Sequence, residues 1–147
     1  MPGFQLEARI ARPVNDVFRV LTDVEQTERW FPARVHEYWT SDPPLGVGSM
    51  RHAVVTLLGR RTENDATVTE YDPPRRAALS GTQSGLAWNA GFDFHPEGEA
   101  TRVVLDFRAD ASGGVRVALR PLLWWYRRAW RKGMARFARM MESGELG

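Results

Sequence analysis

The chain has 147 residues, 43% hydrophobic and 26% charged, with a net charge of +2 and no cysteine. That size and balance suit one soluble domain over residues 1–147 with a substantial core, and the missing thiols exclude disulfides and thiolate metal sites. No apolar run approaches membrane-spanning length and the first residues lack the basic-then-apolar pattern of a secretory signal, so the expected location is cytoplasmic.

Residues 5–10 alternate as a short strand, after which Pro13 is placed to open a helix whose face carries Val14, Val17, Phe18 and Leu21. A second short helix is expected over 24–30, ended by Trp30-Phe31-Pro32. Six strand-like runs follow, at 35–40, 49–58, 61–71, 76–82, 86–95 and 100–109, separated by Pro- and Gly-rich breakers. In the last two runs Trp88, Ala90, Phe92 and Phe94, then Val103, Leu105, Phe107 and Ala109, mark matching apolar faces. The turns between strands are too short for crossover helices, so the sheet is expected to be an antiparallel meander.

The last element is a long amphipathic helix over 121–142, with Pro121 in its first turn and Ser143-Gly144 as its stop. One broad face holds Tyr126, Ala129, Trp130, Met134, Phe137, Met140 and Met141. The other is basic: residues 116–139 contain eight basic side chains and no acidic one. A solvated outer face explains that charge most simply, and nucleic-acid binding ranks last because no reading motif accompanies it. Trp124 and Trp125 fall on or beside this face, where local packing or a dimer contact ranks ahead of membrane contact. Monomer and homodimer both stay open.

A curved antiparallel sheet cannot close its concave side by itself, and one helix laid along it leaves a gap lined from both surfaces. Aromatic and methionine side chains suit such a gap as a pocket for a flat apolar molecule, and equally suit a filled core. The residues expected to line it are Trp30, Met50, His52, Val54, Trp88, Phe92, Phe107, Tyr126, Trp130 and Met134.

From residue 8 to residue 142 the chain resembles the START/SRPBCC superfamily, especially its polyketide cyclase/dehydrase and lipid-transport-like branch. The resemblance rests on Ala11-Arg12-Pro13-Val14-Asn15-Asp16-Val17-Phe18, Trp30-Phe31-Pro32, Gly46-Val47-Gly48-Ser49, the run from Val68 to Arg76, and the closing helix. It implies an α+β helix-grip fold: a seven-stranded curved antiparallel sheet, two short helices and one long C-terminal helix over a hydrophobic cavity. It also implies binding of a small hydrophobic molecule, aromatic or lipid-like. A polyketide aromatase/cyclase or dehydrase-type enzyme and an Hsp90-activator-like protein-interaction module are the alternatives, since the fold leaves the reaction open.

His52 is the polar residue with most chemical reach, because Met50, His52, Val54 and Thr56 share one strand face. If that face lines the cavity, His52 can donate to a ligand carbonyl or move a proton near neutral pH. The opposite register, with Arg51, Ala53 and Val55 inward, is almost as apolar. In an enzyme, confinement and orientation are expected to dominate, with proton transfer by His52 or Tyr126 secondary; no catalytic residue is assigned. Tyr38 and Asn89 carry groups that suit a polyphenol, although only Tyr126 has an interior pattern. His36 and His95 read as surface residues, Asp93 and Asp106 as solvent-facing. Ser80, Ser84 and Ser112 sit in turn-like settings without a nucleophile elbow. No ligand pair has metal-site spacing and no Gly-rich loop opens a helix, so neither metal nor cofactor is expected.

Overall fold

The computed structural model describes residues 2–57, 59–83 and 85–146. Residue 58, the expected end of the third strand, and Ser84 lie outside them. Strand β1 (Gly3–Ile10) is followed by α1 (Val14–Leu21), a 3-10 turn (Val24–Gln26) and α2 (Thr27–Trp30). Strands β2 (Arg34–Trp39), β3 (Met50–Leu57), β4 (Arg60–Asp72), β5 (Arg76–Gln83), β6 (Leu86–Glu97) and β7 (Ala100–Ala111) come next. A second 3-10 turn (Gly113–Ala118) leads into α3 (Leu119–Ser143). The strands form one antiparallel sheet in the order β1-β7-β6-β5-β4-β3-β2, so only the β1–β7 neighbours are distant in sequence. This is the seven-stranded helix-grip arrangement the resemblance implies.

Three local readings are sharpened. The second helix divides into a 3-10 turn, capped by Asp23 accepting from the Glu25 N–H, and a single α-turn. The terminal helix starts two residues before Pro121, which still falls in its first turn, and stops at Gly144 in the left-handed region with φ 84°. There the Leu146 N–H donates to the Met140 carbonyl at 3.1 Å, and the buried Leu146 side chain covers the helix end. Ser80 lies within β5 rather than in a turn.

The core sits between the concave face of the sheet and α3. Phe92 and Phe94 of β6, Val103, Leu105 and Phe107 of β7, and Phe4 and Ile10 of β1 meet Tyr126, Trp130, Met134, Phe137 and Met141 from the helix. Phe4 and Phe107 stack at 5.1 Å between ring centroids, and Phe107 stacks on Tyr126 at 5.2 Å. Near its middle α3 rests on the segment after α2. A Cβ on Gly133 would come within 3.1 Å of Phe31 and 3.4 Å of Trp30, so a hydrogen at that position permits the approach. Trp30 then packs edge-on against Phe137, and Phe31 against Trp130.

Candidate functional site

The half of the sheet formed by β2 to β5 is built differently. In an antiparallel sheet directly opposed residues share a face, and the register runs Trp39, Arg51, Ala66, Gly81, Trp88 and Ala109 across six strands. Ala66 and Gly81 are small, which leaves room for the Trp88 ring to lie over them. A Cβ on Gly81 would meet Trp88 at 2.9 Å and the Asp65 carbonyl oxygen at 2.5 Å. Trp88 thereby reaches Arg51, whose guanidinium carbon is 5.4 Å from the ring centroid.

Arg51 is 2% exposed and pairs with Glu37, 4% exposed, at 3.6 Å. Both charges are out of water, so their mutual attraction, the Trp88 face and hydrogen bonds must offset the desolvation. Arg51 Nη1 donates to Oδ1 of the buried Asn64. One row further along, the Tyr126 hydroxyl donates to Gln83 Oε1 at 2.7 Å, and Gln83 Nε2 donates to Thr62 Oγ1. A polar band thus crosses the concave face from β2 to β5 and ends on α3.

Two small cavities lie against this band. The larger, about 70 Å³, is bounded by the end of α1, by Trp30, by the Glu37–Arg51 pair, and by Trp39, Trp88, Phe92 and Trp130. The smaller, about 30 Å³, lies under α3 between Phe31, Arg51, Asn64, Gln83, Phe107 and Tyr126. Arg51, Trp88 and Trp130 belong to both walls. Thr22, Trp39, Val68 and Tyr71 also border an outer groove of about 540 Å³ beside the β2–β3 loop, so these four side chains stand between the larger cavity and that groove. Trp30 has a buried indole N–H with no acceptor among the described residues.

Of the residues expected to line the gap, Trp30, Trp88, Phe92 and Trp130 border the larger cavity, and Phe107 and Tyr126 the smaller. Met134 is buried in the core and borders neither. Met50, His52 and Val54 require correction, because β3 takes the opposite register: Arg51, Ala53 and Val55 point inward. Met50 is 45% exposed, His52 is on the outer face, and Val54 is buried there away from both cavities. The physical reason is Arg51, which finds a carboxylate, an amide and an aromatic face only on the concave side. Glu37, Arg51, Asn64 and Gln83 are the functional candidates that hydrophobic pattern overlooks. The available signal was an acid on β2 and a base on β3 at positions that share a face.

Outside, Tyr38, His52, Asp65 and Thr82 form the neighbouring row. His52 Nδ1 lies 2.8 Å from Asp65 Oδ1 and Nε2 3.2 Å from Glu63 Oε1. Hydrogen bonds to these carboxylates, Asp65 first, raise the His52 pKa above its ordinary 6.5. Asn89 and His95 are exposed; His36 is exposed too and pairs with Glu28 at 3.5 Å. Asp93 faces outward and binds Arg76 at 2.8 Å. Among the described residues no cluster of three or more His, Asp or Glu side chains is arranged to hold a metal ion, and no helix is long and apolar enough to cross a membrane.

Comparison with known proteins agrees with this architecture. The sequence profile of the family described as polyketide cyclase/dehydrase and lipid transport matches residues 1–142. Two curated Mycobacterium tuberculosis proteins, both described as uncharacterized, are 28% identical over 87 residues, which is 58% of this chain; the chain spans 59% of the length of those relatives. Among solved structures, a Thermus thermophilus protein superposes with a TM-score of 0.76 at 19% identity, over 95% of this chain and 99% of that one. The Zhui aromatase/cyclase of a Streptomyces species gives 0.75 at 18%, over 94% of each. A START superfamily protein of Mycobacterium smegmatis gives 0.75 at 12%, over 89% and 92%.

Proposed function

The chain belongs to the polyketide cyclase/dehydrase and lipid transport family, and from that premise we propose that it binds a small hydrophobic molecule, aromatic or lipid-like, between sheet and α3. The observation that carries this reading is a cavity walled by Trp30, Trp39, Trp88, Phe92 and Trp130 with the Arg51–Glu37 pair on its side. Indole and phenyl faces favour a flat guest, and Arg51 favours one that bears a carbonyl, phenol or carboxylate oxygen. A guest acceptor near Trp30 would also satisfy an indole N–H whose unmet bond costs about 1–3 kcal/mol. At about 70 Å³ the space is far below the roughly 300–1,000 Å³ of drug-sized pockets, so Trp39 and Tyr71, the large side chains at its border, must swing outward to admit the guest.

A second reading, a cyclase-type enzyme, is favoured by the polar groups inside the gap. Catalysis would rest on confining a reactive chain, with Arg51 holding an oxyanion and the Tyr126 hydroxyl able to donate a proton. His52 has no part in it.

Titration with naphthol, followed by quenching of tryptophan fluorescence, tests the binding reading. Saturable one-to-one quenching is expected. Ala77→Leu, which adds bulk to the cavity wall, should weaken it, and Arg51→Met should weaken naphthol more than naphthalene. Non-saturable quenching, or binding indifferent to both substitutions, would count against a guest at this site.

A further inference from the structure

The outer face of α3 and the turn before it carry a dense run of uncompensated positive charge. All eight basic side chains from Arg116 to Arg139 are exposed, and none has a carboxylate partner among the described residues. Several arginines on the sheet side behave otherwise, Arg9, Arg75, Arg76, Arg102 and Arg108 each being held by an acidic neighbour, whereas Arg60 and Arg61 at the start of β4 are exposed like those of α3. At about 100° per residue, Arg120, Trp124, Arg127, Arg128 and Arg131 fall on one stripe. Trp124 at its centre is 63% exposed, with Arg128 over its ring at 5.7 Å. Val117, 88% exposed, continues the stripe toward the preceding turn.

We propose that this face docks on an anionic phospholipid surface, with Trp124 entering the headgroup layer and the arginines meeting lipid phosphates. The combination of a lone exposed indole and uncompensated cations selects that partner. Indoles are favoured at the boundary between water and acyl chains, and unpaired basic residues gain from a negative leaflet. Single-stranded nucleic acid would call for a succession of aromatic platforms along a groove, and a protein partner for a patch whose centre is depleted of charge. Beside the stripe, a groove of about 290 Å³ between α3 and the β3–β4 turn is lined by Trp125 and Ala129 together with the cations Arg128 and Lys132. The surface is read from the outside of α3 and stands independently of any guest in the interior.

Co-sedimentation with vesicles of phosphatidylcholine, with and without phosphatidylglycerol, tests it. Binding is expected only to the mixed vesicles and should disappear at high salt. Arg127→Gln and Arg131→Gln should each weaken it about fivefold, and Trp124→Ala should weaken it without altering the salt dependence. Arg75→Gln removes the same charge from the sheet side and should leave binding unchanged. Equal binding to neutral vesicles, no binding to either, or binding insensitive to the α3 substitutions would overturn the proposal. So would a preference for an oligonucleotide or heparin with no vesicle binding.

Discussion

The two halves of the concave face solve the same burial problem in opposite ways. Where α3 covers β6, β7 and β1, apolar side chains interlock and fill the space: Leu105, Val103 and Phe137 have no exposed surface. Across β2 to β5, beneath α3 and the segment from α1 to α2, a buried ion pair, two amides and a tyrosine hydroxyl interrupt the packing, and the cavities lie beside them. The difference teaches that void and polarity go together in this molecule. Polar groups tied to fixed partners cannot collapse into a gap as methyl groups can, and the space they keep is where chemistry becomes available.

Injuring each half once separates the two modes of burial. Arg51→Met should cost about 3–5 kcal/mol by removing the guanidinium that faces the buried Glu37 carboxylate, and adding Glu37→Leu should restore most of that. Leu105→Ala in the packed half should cost about 2–5 kcal/mol, and Glu37→Leu should add to that loss rather than repair it. Urea denaturation of the four variants distinguishes a rescuable loss from a cavity that nothing refills.

Gly81→Ala should cost about 1–3 kcal/mol and alter the near-UV circular dichroism, because the new methyl displaces Trp88 from its place over β5. Tyr126→Phe should cost about 1 kcal/mol, read from thermal unfolding, because Gln83 loses its donor from the helix. The smallest effect belongs to the outer face. The folded-state pKa of His52 is raised above 6.5, so its stabilising contribution is fully present below about 6.5 and is lost as pH rises through the folded value. Replacing His52 with Gln should flatten that part of the stability profile, with the difference from wild type largest at the acid end of the window.

Legibility in the sequence follows the same division. In β6 and β7 strict alternation of Trp88, Ala90, Phe92 and Phe94, and of Val103, Leu105, Phe107 and Ala109, has a single solution, and the sheet buries those faces as expected. The amphipathic run of α3 was equally plain, because its apolar positions recur with a helical period over six turns or more. In β3 both registers offer similar apolar content, and the choice depends on partners contributed by other strands. Arg51 goes inward because Glu37, Asn64 and Trp88 await it, a fact of tertiary register that no local window contains. The same blindness put Met50, His52 and Val54 on the wrong face and left Glu37 unnoticed beside His36, which read as a surface residue. Trp30, Trp88, Phe92, Phe107, Tyr126 and Trp130 were legible; Trp39, Tyr71, Phe31 and the charges were not.

The most direct measurement is native mass spectrometry of freshly purified protein, with Ala77→Leu prepared in parallel. An interior that opens at Trp39 and Tyr71 to admit a guest predicts a co-purified apolar compound bearing an oxygen function, retained by the wild type and reduced in the variant. Wild-type protein that emerges empty, and stays empty after incubation with aromatic phenols and fatty acids, would contradict it.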